Sequence, residues 1–217
     1  MSESLGENGV TSNYRYDLAP YTWELVQEMN GKNAIFTQPP MPIKCAGAPQ
    51  KAMYLSCDHW QKSGQLEGMN VSFCNAGPVL FGCATYVPPL MKYVEKYGIN
   101  LDFGHNLTKI DGPSKKAWFS VKKEGEDAKT IERSFDMIHV CPPQRAPDFI
   151  KNSPLANEGG WVDVNAETLQ HNKFSNIFSL GDVRSRSNAK TVAAARKQAP
   201  IVAQNIIAYF DKKELKP

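Results

Sequence analysis

The segment NIFSLGDVRSRSNAKTVAAARKQAPIVAQNI, residues 176–206, carries the clearest information about the fold. Its apolar beginning, NIFSL, predicts a buried strand that ends at Gly181, because glycine permits a tight turn there. A polar loop follows, and an alanine-rich helix is predicted to begin at about Thr191. Ligands of open α/β sheets bind beyond the carboxyl ends of the strands. Asp182 is therefore predicted to accept a hydrogen bond from a sugar-like hydroxyl of a ligand.

The beginning of the predicted helix favours the same interpretation. Ala193, Ala194 and Ala195 are small, so a flat ligand could approach the helix closely. The positive end of the helix dipole would favour an electron-rich group at this place. Gly-Asp is also a common dipeptide in ordinary turns, so the prediction depends on the order of strand, turn, loop and helix.

Strands and helices alternate through the first two-thirds of the chain. This alternation predicts an α/β fold in which helices cover a Rossmann-like parallel sheet. Residues 118–135 predict an antiparallel β-hairpin with a polar tip, and residues 160–170 predict a short strand with a return loop. The other predicted strands are 33–40, 69–77, 99–111 and 136–140, and the predicted helices are 22–30, 51–64 and 87–98.

Composition excludes several classes of protein. The 217 residues carry a net charge of only +3, with acidic and basic residues interspersed, which argues against a nucleic-acid-binding surface. No apolar stretch approaches the roughly 20 residues that span a membrane. The N-terminus is polar and acidic, unlike a secretory signal. The five cysteines form no CxxC pair and the histidines do not share zinc-ligand spacing with them, so we expect reduced thiols, no metal and a cytoplasmic location.

Cys45 is the cysteine whose surroundings predict reactivity. It follows Lys44 and precedes the loop AGAP, which opens a predicted helix that contains Lys51. A helix N-terminus and neighbouring cations favour the thiolate form, which is the nucleophile. The remaining cysteines are interpreted as structural thiols: Cys57, Cys74, Cys83 and Cys141.

Four stretches carry a resemblance to a known family. They are IFSLGD (177–182), IKCAGAPQKAMYLS (43–56), VCPPQRAPDFIKNSPLA (140–156) and GWVDVNAETLQHNKFSNIFSLGD (160–182). Together they resemble the sulfide:quinone oxidoreductases of mitochondria and some bacteria. These are FAD flavoproteins with two dinucleotide-binding domains, of the pyridine nucleotide-disulfide oxidoreductase superfamily. The resemblance extends over nearly all of residues 9–206, and CAGAPQK is its most specific element.

The resemblance implies a cofactor, a reaction and site residues. Asp182, between Gly181 and Val183, would hold the ribityl chain of FAD. Lys190 would lie near the flavin ring, although a solvated surface lysine is the alternative. Cys45 would be one of two cysteines that carry sulfane sulfur while sulfide is oxidised and two electrons pass through FAD to a quinone. NAD is not expected, because the sequence contains no GxGxxG.

The sequence also departs from the family. The family's N-terminal GxGxxG module, its second redox cysteine and its C-terminal membrane-associating helices have no counterpart, and Val183 stands where relatives often have cysteine. We therefore expect no sulfide:quinone turnover by the isolated chain. The expected domains are a linker and short helix (1–32), a central Rossmann-like, NAD-domain-like domain (33–135) and a partial FAD-binding half-domain (136–217).

Two other functions stay open. The chain could be a non-catalytic module that docks with a partner, such as a second copy or a complementary flavin-binding chain, through the apolar surface of its half-domain. It could also be another FAD- or NAD(P)-linked oxidoreductase of the superfamily, such as a type II NADH dehydrogenase. The missing nucleotide fingerprint and the cysteine of CAGAPQK weigh against this second alternative.

Overall fold

Residues 4–122, 125–185 and 189–217 are described by the structure, a computed structural model. Parts of the predicted hairpin tip (123–124) and of the loop after the Gly-Asp dipeptide (186–188) lie outside the described residues. The chain divides into two units. The first comprises Met1–Met41 and Ala46–Pro143, and the second comprises Pro42–Cys45 and Gln144–Pro217.

A five-stranded parallel sheet forms the centre of the first unit. In spatial order its strands are β1 (Val10–Thr11), β8 (Met137–His139), β2 (Asn33–Gln38), β3 (Asn70–Asn75) and β4 (Asn100–Phe103). β2 and β3 pair over six residues, from Asn33 with Asn70 to Gln38 with Asn75. Parallel strands are usually covered on both faces, which explains why the interiors of β2 and β3 are buried throughout.

Helices cover one face of this sheet. They are α1 (Ala19–Gln27), α2 (Gly47–Lys62) and α3 (Val87–Tyr97). α3 has proline in its first turn and ends at Gly98, whose φ of 62° is the left-handed conformation that glycine adopts readily. α1 begins three residues before the predicted position and α2 begins four before it, and a proline again lies in the first turn of α1.

A three-stranded antiparallel sheet covers the other face. It consists of β5 (His105–Asp111), β6 (Lys116–Val121) and β7 (Lys129–Ser134). β6 and β7 form the predicted hairpin, with Lys116 opposite Ser134. The alternation of side chains along β2 explains the two cores, because Phe36 faces the helices while Ile35 faces the antiparallel sheet. The predicted α/β class with a parallel sheet and an antiparallel hairpin is confirmed.

The boundary between the two units follows from strand pairing. β8 pairs with both β1 and β2, so strands that lie far apart in the sequence belong to the same sheet and to the first unit. The division lies after Pro143. The domain boundaries expected from the sequence, after residues 32 and 135, would instead separate β1 and β8 from the strands with which they pair.

The second unit contains little regular structure before its last helix. α4 (Asp148–Lys151) is one turn, and α5 (Val192–Phe210) is long and begins where the sequence predicted. The prediction that NIFSL forms a buried strand is wrong: its apolar residues are half-buried, and Phe178 forms a single bridge with Gln170. Residues 160–170 likewise form isolated bridges at Val162 and Val164. An extended segment becomes a strand only where a neighbour pairs along its length, and the described residues supply none.

Candidate functional site: the Gly-Asp turn and the Cys45 loop

The Gly-Asp dipeptide forms a single turn that packs against α5. Gly181 has a φ of 74°, and its N–H donates to Oε1 of Gln198, a buried residue of α5, over 2.7 Å. A Cβ atom at position 181 would lie 3.7 Å from the Cβ of Ala195. Glycine is favoured here mainly by its positive φ, since the space would accommodate a methyl group. The turn leaves Asp182 exposed.

The N-terminus of α5 lies at the surface. Thr191 caps the helix, because its Oγ1 accepts a hydrogen bond from the N–H of Ala194 over 3.1 Å. Val192 is 86 % exposed and Ala193 is exposed as well. The first turn of α5 is therefore exposed at Val192 and Ala193, while ligand approach to it stays a prediction.

Cys45 lies in a short loop that belongs to the second unit. Its N–H donates to the carbonyl of Lys190 over 2.8 Å, and Lys44 forms a parallel bridge with Lys190. The side chain is partly exposed. Cys45 adopts a φ of 60°, a left-handed conformation that costs a non-glycine residue about 1–2 kcal/mol. Such strain persists where surrounding contacts enforce it, and it is concentrated at functional sites.

Lys190 is buried, so the alternative of a solvated surface lysine is wrong. The residue is 6 % exposed, and its Nζ donates to the carbonyls of Asp182, over 2.9 Å, and Arg184, over 2.6 Å. The ammonium group also lies over the ring of Trp161, 4.1 Å from the ring centroid. Burial, aided by the positive charge of Arg184, lowers the pKa of Lys190 to about 8.

Backbone pairing joins the Gly-Asp turn to the segment that contains Trp161. The N–H of Val162 donates to the carbonyl of Val183 over 3.0 Å, and the N–H of Ser185 donates back to Val162 over 2.9 Å. With the bridge between residues 44 and 190, these contacts bring the predicted site residues into one unit. They are Cys45, Gly181, Asp182, Val183 and Lys190.

Sequence reasoning missed two residues of this arrangement. Gln198 is buried and holds the turn, but a single polar residue in an alanine-rich helix gives no such signal. Trp161 belongs to the GWVDV segment that helped to identify the family, yet nothing in that segment indicates that its ring faces a lysine.

The other cysteines differ from Cys45. Cys57, Cys74 and Cys141 are buried, and Cys83 is exposed. Burial raises the pKa values of Cys57 and Cys74 to about 12, which makes both thiols inert. Cys74 contacts Nη1 of Arg133 at 3.2 Å in a cluster that joins β7 to β3. Across the described ranges, no group of three or more metal-ligating side chains is found.

Sequence comparison with known proteins agrees with the resemblance to the sulfide:quinone oxidoreductases. The mitochondrial sulfide:quinone oxidoreductase of Dictyostelium discoideum is 43 % identical over 209 residues, which are 95 % of this chain and 45 % of that protein. The mouse mitochondrial enzyme of the same name is 37 % identical over 202 residues, or 93 % of this chain and 44 % of its own length. No protein-family model matches the chain. The chain thus spans less than half of the length of these relatives.

A solved structure shows the fold. The sulfide:quinone oxidoreductase of Aquifex aeolicus superposes with a TM-score of 0.78 at 18 % identity, over 95 % of this chain and 51 % of that one. At this identity the structural similarity establishes a shared Rossmann-like architecture only. The evidence for homology is the sequence identity to the two mitochondrial proteins. The recognition made from sequence motifs is confirmed: along nearly its whole length, this chain is homologous to part of the sulfide:quinone oxidoreductases.

Proposed function

We propose that the chain forms the part of a sulfide:quinone oxidoreductase-like flavoprotein that carries one redox cysteine and the Gly-Asp turn. One observation carries this proposal: Lys190 contacts both elements. Its backbone carbonyl accepts the N–H of Cys45, and its Nζ donates to the carbonyl of Asp182. A thiol on a strained backbone and an exposed carboxylate are thereby held in the same unit.

The residues present fit one part of FAD. The exposed carboxylate of Asp182 can accept hydrogen bonds from the hydroxyls of a ribityl chain, and the uncovered N-terminus of α5 favours electron-rich ring atoms. No GxGxxG is available in the sequence to bind the pyrophosphate. When bound, FAD supplies a two-electron acceptor. Gly181, Val183 and Lys190 would shape the turn that presents Asp182 to it.

Cys45 would hold sulfur. Oxidation of sulfide to sulfane sulfur releases two electrons, and reduction of a quinone to its quinol consumes two electrons and two protons. The Cys45 thiolate would carry the sulfane sulfur as a persulfide. A sulfur bridge within the chain would require a second reactive thiol close by, and burial makes Cys57 and Cys74 inert. We therefore propose that the isolated chain lacks turnover; sulfide-dependent quinone reduction by the purified chain would contradict this.

Weak, saturable binding of FAD by the purified chain is expected, and Asp182→Ala should weaken it about tenfold or more, because a charge-assisted hydrogen bond contributes about 1.5–3 kcal/mol. The measurement is a titration followed by the visible absorbance and fluorescence of the flavin. Asp127→Ala is the matched control, since it removes an exposed aspartate in the first unit. Equal binding by Asp182→Ala and the control would contradict the role of Asp182.

Cys45 should take up sulfane sulfur from inorganic polysulfide faster than Cys83 does. In this transfer the thiolate attacks a polysulfide sulfur, one S–S bond breaks, and a shorter polysulfide leaves with the electron pair. Peptide mass spectrometry after short exposure measures the added sulfur at each cysteine. Cys83 is a suitable reference because it is exposed. Faster reaction at Cys83, or an unchanged total uptake in Cys45→Ser, would exclude Cys45 as the sulfur carrier.

A partner-dependent module is the second candidate, and one surface favours it. Apolar side chains at helical spacing lie exposed along α5. They are Val192, Ala199, Ala203, Ile206 and Phe210. An uncovered apolar stripe of this kind marks an interaction surface. Sedimentation of the purified chain distinguishes self-association through this stripe from a monomer that needs a complementary flavin-binding chain.

The location of the protein is also part of this proposal. Among the described residues, no helix combines the length and apolarity that crossing a bilayer requires. The two relatives are mitochondrial by name. The cytoplasmic location and the absence of nucleic-acid binding expected from the sequence therefore stay predictions, and peripheral membrane association is implied only for the family.

A further inference from the structure

We propose that Lys190 is a positioning residue: its buried ammonium group holds the peptide of residue 190 where it accepts the N–H of Cys45, and so joins the reactive-cysteine loop to the Gly-Asp turn. This inference deepens the proposed function and rests on it only in treating Cys45 as the reactive thiol. The contacts themselves require neither FAD nor sulfide.

Three segments of the second unit meet at this one residue. The side chain of Lys190 contacts the Gly-Asp turn through the carbonyls of Asp182 and Arg184, and it contacts Trp161 through the ring face. Its main chain contacts the loop of Lys44 and Cys45. A shift of Lys190 would therefore move the acceptor of the Cys45 N–H.

The conformation of Cys45 makes this acceptor important. A non-glycine residue at a φ of 60° returns to ordinary backbone conformations unless its neighbours restrain it. The hydrogen bond to Lys190 and the adjacent bridge at Lys44 supply such a restraint. Because the direction of the thiol depends on this backbone, the restraint on residue 45 also orients its Sγ.

The geometry favours a positioning role over direct contact with a cofactor. Two of the three ammonium donors of Lys190 are used by carbonyls at 2.9 and 2.6 Å, and the ring of Trp161 covers the group. With 6 % of the residue exposed, a cofactor would have to displace one of these partners to reach Nζ. The sequence-based assignment of Lys190 to flavin binding is thus replaced, in this proposal, by an indirect role.

The charge of Lys190 has two opposite effects on the stability of this arrangement. An ammonium group makes charge-assisted hydrogen bonds and a cation–π contact, and a neutral amine loses both advantages. Burial is the main effect that opposes the charged form, the positive charges of Arg184 and Lys44 oppose it as well, and Asp182 stabilises it. The pKa of about 8, below the ordinary 10.5, means that the opposing effects are larger, so the arrangement gains stability relative to an open state as the pH rises between these values.

The test is amide hydrogen exchange at Cys45, measured by NMR on the isotope-labelled chain without FAD or sulfide. We expect Lys190→Met to lower the protection factor of Cys45 about tenfold, near the upper limit for one net hydrogen bond. In the unchanged chain, protection should rise as the pH increases from about 7 to about 9.5, because the open state then holds a proton that Lys190 in the folded arrangement has lost. In Lys190→Met it should be low and independent of pH. Lys197→Met, which removes an exposed lysine of α5, is the matched control and should behave like the unchanged chain.

Two reference amides separate positioning from general unfolding. His171 and Asn172 donate to the carbonyls of Ile177 and Asp163 in the same unit. Equal loss of protection at these amides and at Cys45 would overturn the proposal, since Lys190 would then only stabilise the unit. Protection of Cys45 that is constant with pH in the unchanged chain would overturn it too, and this result is obtained even if Lys190→Met fails to fold. Failure of FAD to bind would contradict the proposed function and leave this result untouched.

Discussion

Replacing Trp60 by alanine is expected to lower the free energy of unfolding by about 3–5 kcal/mol. Trp60 is fully buried in the helix-side core, its ring centroid lies 6.4 Å from that of Phe36, and its Nε1 donates to the carbonyl of Val26 over 2.8 Å. The substitution leaves a cavity, and it also leaves the carbonyl of Val26 without this hydrogen-bond donor. Both effects act in the same direction.

Urea unfolding followed by circular dichroism measures this change. Trp23→Ala is the matched control, because Trp23 is half exposed and lies in a T-shaped ring contact with His59. The control should cost less than about 1 kcal/mol, as surface substitutions usually do. Equal losses in the two variants would show that the first unit is not stabilised mainly by this core.

Acid sensitivity below pH 6.5 is the second large effect, and His139 is its source. The ring is fully buried, and burial lowers its pKa from 6.5 to about 4. Nε2 accepts the N–H of Asn13 over 3.1 Å, so the neutral ring carries its proton on Nδ1. Within the described residues, Nδ1 has no hydrogen-bond partner. A proton added to Nε2 would place a buried positive charge against the N–H donor of Asn13.

The direction of the effect follows from proton linkage. Between pH 6.5 and about 4 the unfolded chain binds a proton at His139 that the folded chain does not bind. The free energy of unfolding is therefore highest above pH 6.5 and falls as the pH decreases through this range. Because the pKa is lowered by about 2.5, the free energy of unfolding falls by at most about 3 kcal/mol. His139→Gln keeps an uncharged hydrogen-bonding side chain and should remove this part of the pH dependence.

Urea unfolding at a series of pH values from about 7 to about 4 measures the slope. His105→Gln, at a partly exposed histidine of β5, is the control. A slope in His139→Gln that matches the slope of the control would contradict the assignment to His139.

Local signals explain which elements could be predicted. α3 was predicted within one residue because proline marks its first turn and Gly98 its end, and both effects act on the nearest residues. β2 was predicted from an apolar run that ends at Pro39, and its partner β3 from a similar run. NIFSL has the same composition as these strands, but a strand also needs partners along its length, and composition does not specify them.

The same distinction applies to the candidate site. Cys45 and Asp182 were identified because each lies in a motif of consecutive residues. The left-handed backbone of Cys45 and the burial of Lys190 could not be predicted, since both depend on contacts between segments far apart in the chain. Gln198 and Trp161 were missed for this reason as well.

The loop Pro42–Cys45 belongs to the second unit, although the chain on both sides of it belongs to the first. During synthesis this loop emerges well before its hydrogen-bond acceptor at Lys190. Contacts of such long sequence separation form late, because the entropy of closing the intervening loop must be overcome first. The thiol at position 45 therefore acquires its final orientation only after residue 190 has been synthesised. Nascent chains and shortened chains that end before residue 190 carry this cysteine without the contact that orients it.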